Sequence, residues 1–254
     1  MLEKFGDYLQ DIQDKVDWES AEIEKFRINL CNPESSLMQK EINIFNTFKS
    51  EFANSTWSID IITFNYTRSI EKLLAENFNN LILGQHHRDN IILNNVFHIH
   101  GDLNNMVLGI NDITQLKNID FQKNKKILKA FIKENNNKRQ GHTVDEILDT
   151  KISQANIICV FGSSIGETDK IWWEKIGQRL LKEEQCKLII FTYVEITAQR
   201  AIHKKGEYED EVKETFMKRA NLNEDEQEKI NNKVFVRANT KMFSSLLKKK
   251  VIAK

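Results

Sequence analysis

Proline is almost missing. Pro33 is the only one in 254 residues, so the strongest backbone breaker acts at one point and most of the chain is free to form regular elements. Cysteine is scarce: Cys31, Cys159 and Cys186 have no C-x-x-C spacing. Cys159, inside "IICVF", is expected to pack as a small apolar residue. Net charge is missing too, with 37 Lys+Arg against 37 Asp+Glu. No overall field draws in nucleic acid or an acidic membrane, and neither is expected as a partner. No apolar run approaches the roughly 18 residues of a membrane helix, and the charged start "MLEKFGDYLQD" has no signal-peptide stretch. The default is a cytoplasmic protein with reduced thiols. What is present, 40% hydrophobic and 29% charged residues, is the make-up of a folded globular chain with a sizeable core.

Periodicity divides the chain into a helical segment (1–55), a sheet core (56–200) and a charged remainder (201–254) of one domain. In the first, Phe5, Leu9, Ile12 and Val16, then Ile23, Phe26 and Leu30, predict one helix as far as "CNPESS". Ser35 or Ser36 is placed to cap a second helix carrying Leu37, Ile42, Phe45 and Phe48. The apolar runs "IDIITF" (59–64), "NIILNNVFHIHG", "MVLGI", "NIICVF" (156–161), "KLIIFTYV" (187–194) and "KVFVRA" predict strands. Helical patterns separate them: Ile70, Leu73, Leu74 and Phe78; most of 112–155; Trp172, Ile176 and Leu180; and the charged 207–232. "KKGEYED" (204–210) reads as a surface loop, and "MFSSLLKKK" as a final helix. Continuous apolar strands alternating with helices predict an α/β fold: a parallel sheet with helices on both faces, preceded by a helical segment. The four tryptophans read as packing anchors, and the basic region 123–139 as a solvated helix face.

In open α/β sheets, ligands bind beyond the carboxyl ends of the strands. Three strand ends are polar: Asn65-Tyr66-Thr67 after "IDIITF", Gly101-Asp102 after "VFHIH", and Gly162-Ser163-Ser164 after "NIICVF". A parallel sheet can bring all three to one rim. The third precedes a helix, which suits a phosphate or ribose oxygen; the plain alternative is a turn, with Ser164 and Glu167 as a capping box. Asn65 can be a turn residue, with Thr67 capping the next helix. On the predicted strand "VFHIH", His98 and His100 fall on one face. H-x-H-x-D is also a metal-ligand spacing, which would make His98, His100 and Asp102 a hydrolase or nuclease centre. No further histidine completes a ligand set, and no metal is expected.

Together, "FNYTRSIEKLL", "HIHGDLNNMVLGIND" and "FGSSIGETD", with "DWESAE" (17–22), resemble the bacteriophage abortive-infection AbiH family over roughly residues 5–200. That family in turn resembles the sirtuin-like, Rossmann-like fold of phage-defence enzymes that destroy NAD. The resemblance implies that Asn65 and His100 are catalytic. It implies that Gly101, Gly162, Ser163 and Ser164 contact NAD, with His98, Tyr66, Asp102 and Asp169 beside them. It implies an antiphage NAD glycohydrolase, with a phage-derived trigger and self-association as further expectations. Two departures weigh against deacetylation: Thr67 stands where sirtuins carry Asp, and their Cys-x-x-Cys zinc module is not there. AbiH proteins also begin with an apolar strand and Gly-Asn-Gly-Phe-Asp, whereas this chain starts at "MLEKFGDYLQ". The expectation is that the first strand and its loop are missing, which exposes strand edges. A non-catalytic nucleotide or phage sensor is the alternative.

Overall fold

The computed structural model describes residues 2–18, 23–74, 80–107, 109, 113, 116–132, 144–195, 201–240 and 248–249. The architecture is α/β. In chain order its elements are α1 (Leu2–Asp14), β1 (Val16–Asp17), α2 (Ile23–Cys31), α3 (Gln39–Glu51), β2 (Trp57–Thr63) and α4 (Ser69–Leu73). They continue with β3 (Leu81–His86), β4 (Asp89–His98), α5 (Ile119–Lys123), α6 (Lys125–Phe131), α7 (Val144–Gln154) and β5 (Ile157–Phe161). The last are α8 (Lys170–Lys182), β6 (Lys187–Thr192), α9 (Ala201–Arg219), α10 (Glu224–Ile230), β7 (Val234–Ala238) and β8 (Lys248–Lys249).

Among the described residues the strands form two three-stranded sheets, ordered β2-β4-β3 and β5-β6-β7, plus a short β1–β8 pair. The second sheet is parallel throughout, and its central strand β6 is buried on both faces. In β6, Leu188 and Ile190 point into a core with Trp172, Trp173, Ile176 and Leu180 of α8 and Phe216 of α9. Ile189 and Phe191 point the other way, onto Phe45 of α3 and Phe235. All four β6 residues are at most 2% exposed, and each such burial stabilises by roughly 1.5–3 kcal/mol. Two-sided burial is why "KLIIF" reads as a continuous apolar run rather than an alternating one.

The first sheet differs from expectation. β2 runs parallel to β4, but β3 is antiparallel to it. The hairpin turns at His87, which takes a positive φ of 53°. β3 was hidden because "LILGQH" is short and follows a helical stripe. β2 and β5 each pair on one side only among the described residues.

Several local expectations are corrected. The first helix is two, because Val16 and Asp17 pair with Lys249 and Lys248 and the Trp18 indole donates back to the Gln13 carbonyl at 3.1 Å. The cap of α3 is not Ser35 or Ser36, which lie in a 3-10 turn; the Met38 N–H donates to the Glu41 carboxylate at 2.9 Å instead. Met106 and Val107 are irregular rather than strand. "KKGEYED" is the interior of α9. Gly206 there costs about 1 kcal/mol against Ala, and packing outweighs it. Lys248 and Lys249 are a strand, not part of a last helix; the rest of that segment, like Phe78, Leu108 and Ile110, lies outside the described residues. Cys159 is exposed, not packed, and Phe161, two residues further along β5, is 56% exposed as well.

Candidate functional site

The parallel register of β2 and β4 sets Thr63 beside His98, so two of the three polar strand ends emerge together. The Ile99 N–H donates to the Thr63 carbonyl at 3.1 Å and continues that pairing one step. β4 then stops, and alternation stops with it. The two histidines therefore part company instead of sharing a face.

His98 turns toward α4. Its Nε2 lies 2.7 Å from the Glu71 carboxylate and its Nδ1 2.9 Å from the Asn65 carbonyl. Burial by itself would lower the pKa of His98; the Glu71 hydrogen bond and charge, with the Asn65 carbonyl and Asp102, outweigh it and leave the pKa raised. For Glu71, burial would raise the pKa, but His98, its own backbone N–H and Arg68 bring it below the usual value. With both ring nitrogens engaged, His98 offers no lone pair to a metal. Among the described residues no group of three His, Cys, Asp or Glu side chains is arranged to hold one. Asp102 serves its own loop as well. Its carboxylate accepts from the Asn104 N–H at 3.0 Å and stands 3.7 Å from Arg68 Nε.

His100 turns the other way and is buried, at 6% exposure. The backbone fixes it. Gly101 takes φ +75°, and a Cβ there would lie 1.8 Å from the Asn105 carbonyl oxygen, so only glycine fits. The chain doubles back, and the Val107 N–H donates to the His100 carbonyl at 2.7 Å. The imidazole lies edge-on to Phe64 at 5.5 Å and beside Tyr66 at 6.4 Å between centroids. Its Nε2 is 3.6 Å from the Asp169 carboxylate. Burial pushes the Tyr66 phenol up, and the Asp169 charge adds to this, so it stays a proton donor; it donates to the Val107 carbonyl at 3.3 Å.

The third strand end supplies Asp169. After β5, Gly162 takes φ +65° and Ile165, a β-branched residue, takes φ +52° while only 3% exposed. Such a residue in left-handed backbone is strained. It is held because its side chain belongs to the core under α8. Ser163 Oγ accepts from the Ile165 N–H at 3.2 Å. Ser164 and Glu167 do not form the expected capping box: neither Gly166 nor Asp169, at the starts of the 3-10 turn and of α8, carries a side-chain cap. Nor does Thr67 cap α4, since Arg68 holds the N-cap position. Arg68 N–H instead donates to the buried Gln13 side chain at 2.8 Å, which ties α1 to this loop.

On its other side the same loop borders a cavity of about 190 Å³. Ser163, Ser164 and Ile165 form one wall and Thr192, at the end of β6, another. Tyr208, Glu211, Val212 and Thr215 of α9 close it. A depression on α10, lined by Asp225, Glu228 and Lys229, lies away from all three strand ends.

The structure thus brings His100, Tyr66 and Asp169 together, with Gly101 as their turn. Asn65 is on the adjoining loop with an exposed side chain. His98 and Asp102 support that loop, Ser163 and Ser164 line the neighbouring cavity, and Gly162 only turns the chain before them. Sequence reasoning missed Gln13, Phe64, Glu71 and the whole α9 wall. Only the wall left a signal: Tyr208, Glu211, Val212 and Thr215 recur at helical spacing.

The family description "Bacteriophage abortive infection AbiH" matches residues 1–193. The chain belongs to the AbiH family. All three polar strand ends lie inside the matched stretch, whereas α9 and β7 lie beyond it. Membership makes this an antiphage protein of the abortive-infection kind. No curated protein and no solved structure gives a significant match. No helix among the described residues is long and apolar enough to cross a membrane.

Proposed function

We propose that this AbiH protein acts in abortive infection by binding NAD at the rim formed by the three strand ends and cleaving its nicotinamide–ribose bond. The observation that carries the reading is the buried His100 ring with the Asp169 carboxylate 3.6 Å from Nε2. An imidazole can take a proton from water, and a carboxylate beside it stabilises the imidazolium that forms. Water attacks C1′ of the ribose and gives its proton to His100. The C1′–N bond breaks, and its electron pair leaves with nicotinamide as the neutral base. Asn65 orients the water or the ribose for that attack. The sirtuin-like sequence motifs support the same assignment.

The test is NAD loss followed over time with the full chain and with His100→Ala. Turnover by the first and at least about a hundredfold less by the second supports the reading. Equal loss by both removes His100 from the reaction. A second reading, a nucleotide sensor without turnover, is favoured by the 6% exposure of His100, which leaves a substrate little access. Saturable NAD binding with no NAD loss, with or without phage lysate, would establish it.

A further inference from the structure

We propose that α5 and α6 form a binding surface for single-stranded nucleic acid, with Lys125, Lys126 and Lys129 on its phosphates and Phe121 stacked on a base. This goes beyond the cleavage reading and does not depend on it.

The whole-chain balance of 37 Lys+Arg against 37 Asp+Glu hides a local excess. Residues 117–129, "KNIDFQKNKKILK", hold five lysines and one acid, Asp120. Lys117, Lys123, Lys125, Lys126 and Lys129 are all exposed. On α6, Lys125 and Lys129 stand four residues apart and Lys126 and Lys129 three, so the three charges share one side of the helix. Like charges at that spacing repel and weaken the helix, and two lysines in its first turn oppose the helix dipole. Fold stability therefore does not account for them. A row of phosphates neutralises all three together.

The surface is preformed. Asn118 Oδ1 accepts from the Asp120 N–H at 2.9 Å and the Phe121 N–H at 3.4 Å. Asn124 Oδ1 accepts from the Lys126 N–H at 3.0 Å and the Ile127 N–H at 3.3 Å. Both helices are therefore capped at their starts. The Gln122 side chain donates to the Leu116 carbonyl at 2.6 Å and ties α5 to the chain before it. Little ordering is left for a ligand to impose.

The apolar groups choose among polyanions. On α6, Ile127 and Leu128 lie away from the lysines, and both are partly buried. A helix that lies in a lipid surface exposes such a face for burial among the acyl chains. What is exposed here is Phe121, at 44%, with Ile119 at 63%. A ring flanked by Lys123 and Lys125 suits an unpaired base, because every base has a π-face. A duplex keeps its base faces stacked on one another and leaves that ring unused. Lysine is a point charge and stacking tolerates any base, so the surface takes DNA and RNA alike.

The experiment follows the fluorescence anisotropy of a labelled oligothymidylate titrated with the full chain over a series of salt concentrations. The expected result is saturable binding that weakens as salt rises. The combined variant Lys125→Glu, Lys126→Glu, Lys129→Glu should bind at least about a hundredfold more weakly at low salt, with a flatter salt dependence. Phe121→Ala should bind about tenfold more weakly with the salt dependence unchanged. Oligouridylate should match the DNA within about threefold. The control is Lys218→Glu with Lys229→Glu, exposed lysines of α9 and α10, which should change binding by less than about twofold. Circular dichroism checks that each variant is folded. Equal loss in the control and the α6 variant reduces the binding to unspecific charge attraction and overturns the proposal. No binding at low salt, an unaffected Phe121→Ala, or tighter binding of duplex than of single strand overturns it too. Capture by anionic lipid vesicles in place of the oligonucleotide assigns the surface to a membrane and has the same consequence. NAD loss enters none of these readouts, so the failure of either proposal leaves the other standing.

Discussion

His98 joins two parts of the rim that the chain keeps far apart in sequence: one ring nitrogen holds the Asn65 carbonyl at 2.9 Å and the other the Glu71 carboxylate at 2.7 Å. The residue is a brace between β4, the loop after β2, and α4. Its side chain is 12% exposed and that of Glu71 6%, so the pair is poorly screened.

This brace should give stability a characteristic pH dependence. His98 has a raised folded pKa, so its contribution is complete below the ordinary value of 6.5 and is lost as pH rises through the higher folded value. Glu71 has a lowered folded pKa, so its contribution is complete above 4.5 and is lost as pH falls through the lower folded value. The pair therefore stabilises most between pH 4.5 and 6.5. Urea unfolding of His98→Ala in that window should show a loss of about 3 kcal/mol, shrinking as pH rises toward alkaline values. A pH-independent difference would leave the ion pair without a role.

Gly101→Ala should be far worse than an ordinary loop substitution. The new Cβ meets backbone, not a movable side chain, and φ is +75°. A cost of roughly 1–3 kcal/mol is expected, with His100 displaced because the Val107 N–H to His100 carbonyl bond spans the same turn. Comparing unfolding with NAD loss separates the two effects: activity should fall more than the folded fraction does.

Asn239 tests the support of the cavity. It sits at φ +55° and makes both side-chain bonds to Val194. Asn239→Ala loses the bonds and strains the backbone, a combined cost of about 2–3 kcal/mol. Asn239→Gly loses only the bonds and should cost roughly 1–2 kcal/mol. Equal losses on urea titration would show that the left-handed conformation carries no energy here.

Cys159 should be reachable and slow at once. Solvent touches it on β5, yet the protein packed around that strand, with a contribution from Glu34, pushes the thiol up to about 12. Iodoacetamide should modify it before the buried Cys31 and Cys186. The rate should climb about tenfold per pH unit across the mildly alkaline range, because only the thiolate reacts. First labelling at Cys186, mapped by peptide mass, would show that the β5 edge is covered in solution.

Much of the frame was legible without coordinates. "NIICVF", "KLIIFTYV" and "KVFVRA" announced three strands by their apolar runs, and in β6 burial on both faces is what demands an unbroken run. Trp172, Ile176 and Leu180 announced α8 by their spacing, and the glycines of "HGD" and "FGSSIG" marked turns that need unusual backbone. These are local properties, fixed by side-chain period and by which residues tolerate positive φ. What the sequence could not determine was anything set by contact between distant segments. The end of β4 at His98 broke the alternation that would have paired the two histidines, and β4 ends where its partner β2 ends, at Thr63, not where the composition changes. Asp169 meets His100, Glu71 meets His98, and Glu211 faces Ser163 only because parallel register and helix packing bring separate stretches to one rim. Charge on a helix looks the same in sequence whether water or a cavity receives it, and only the tertiary structure distinguishes the two.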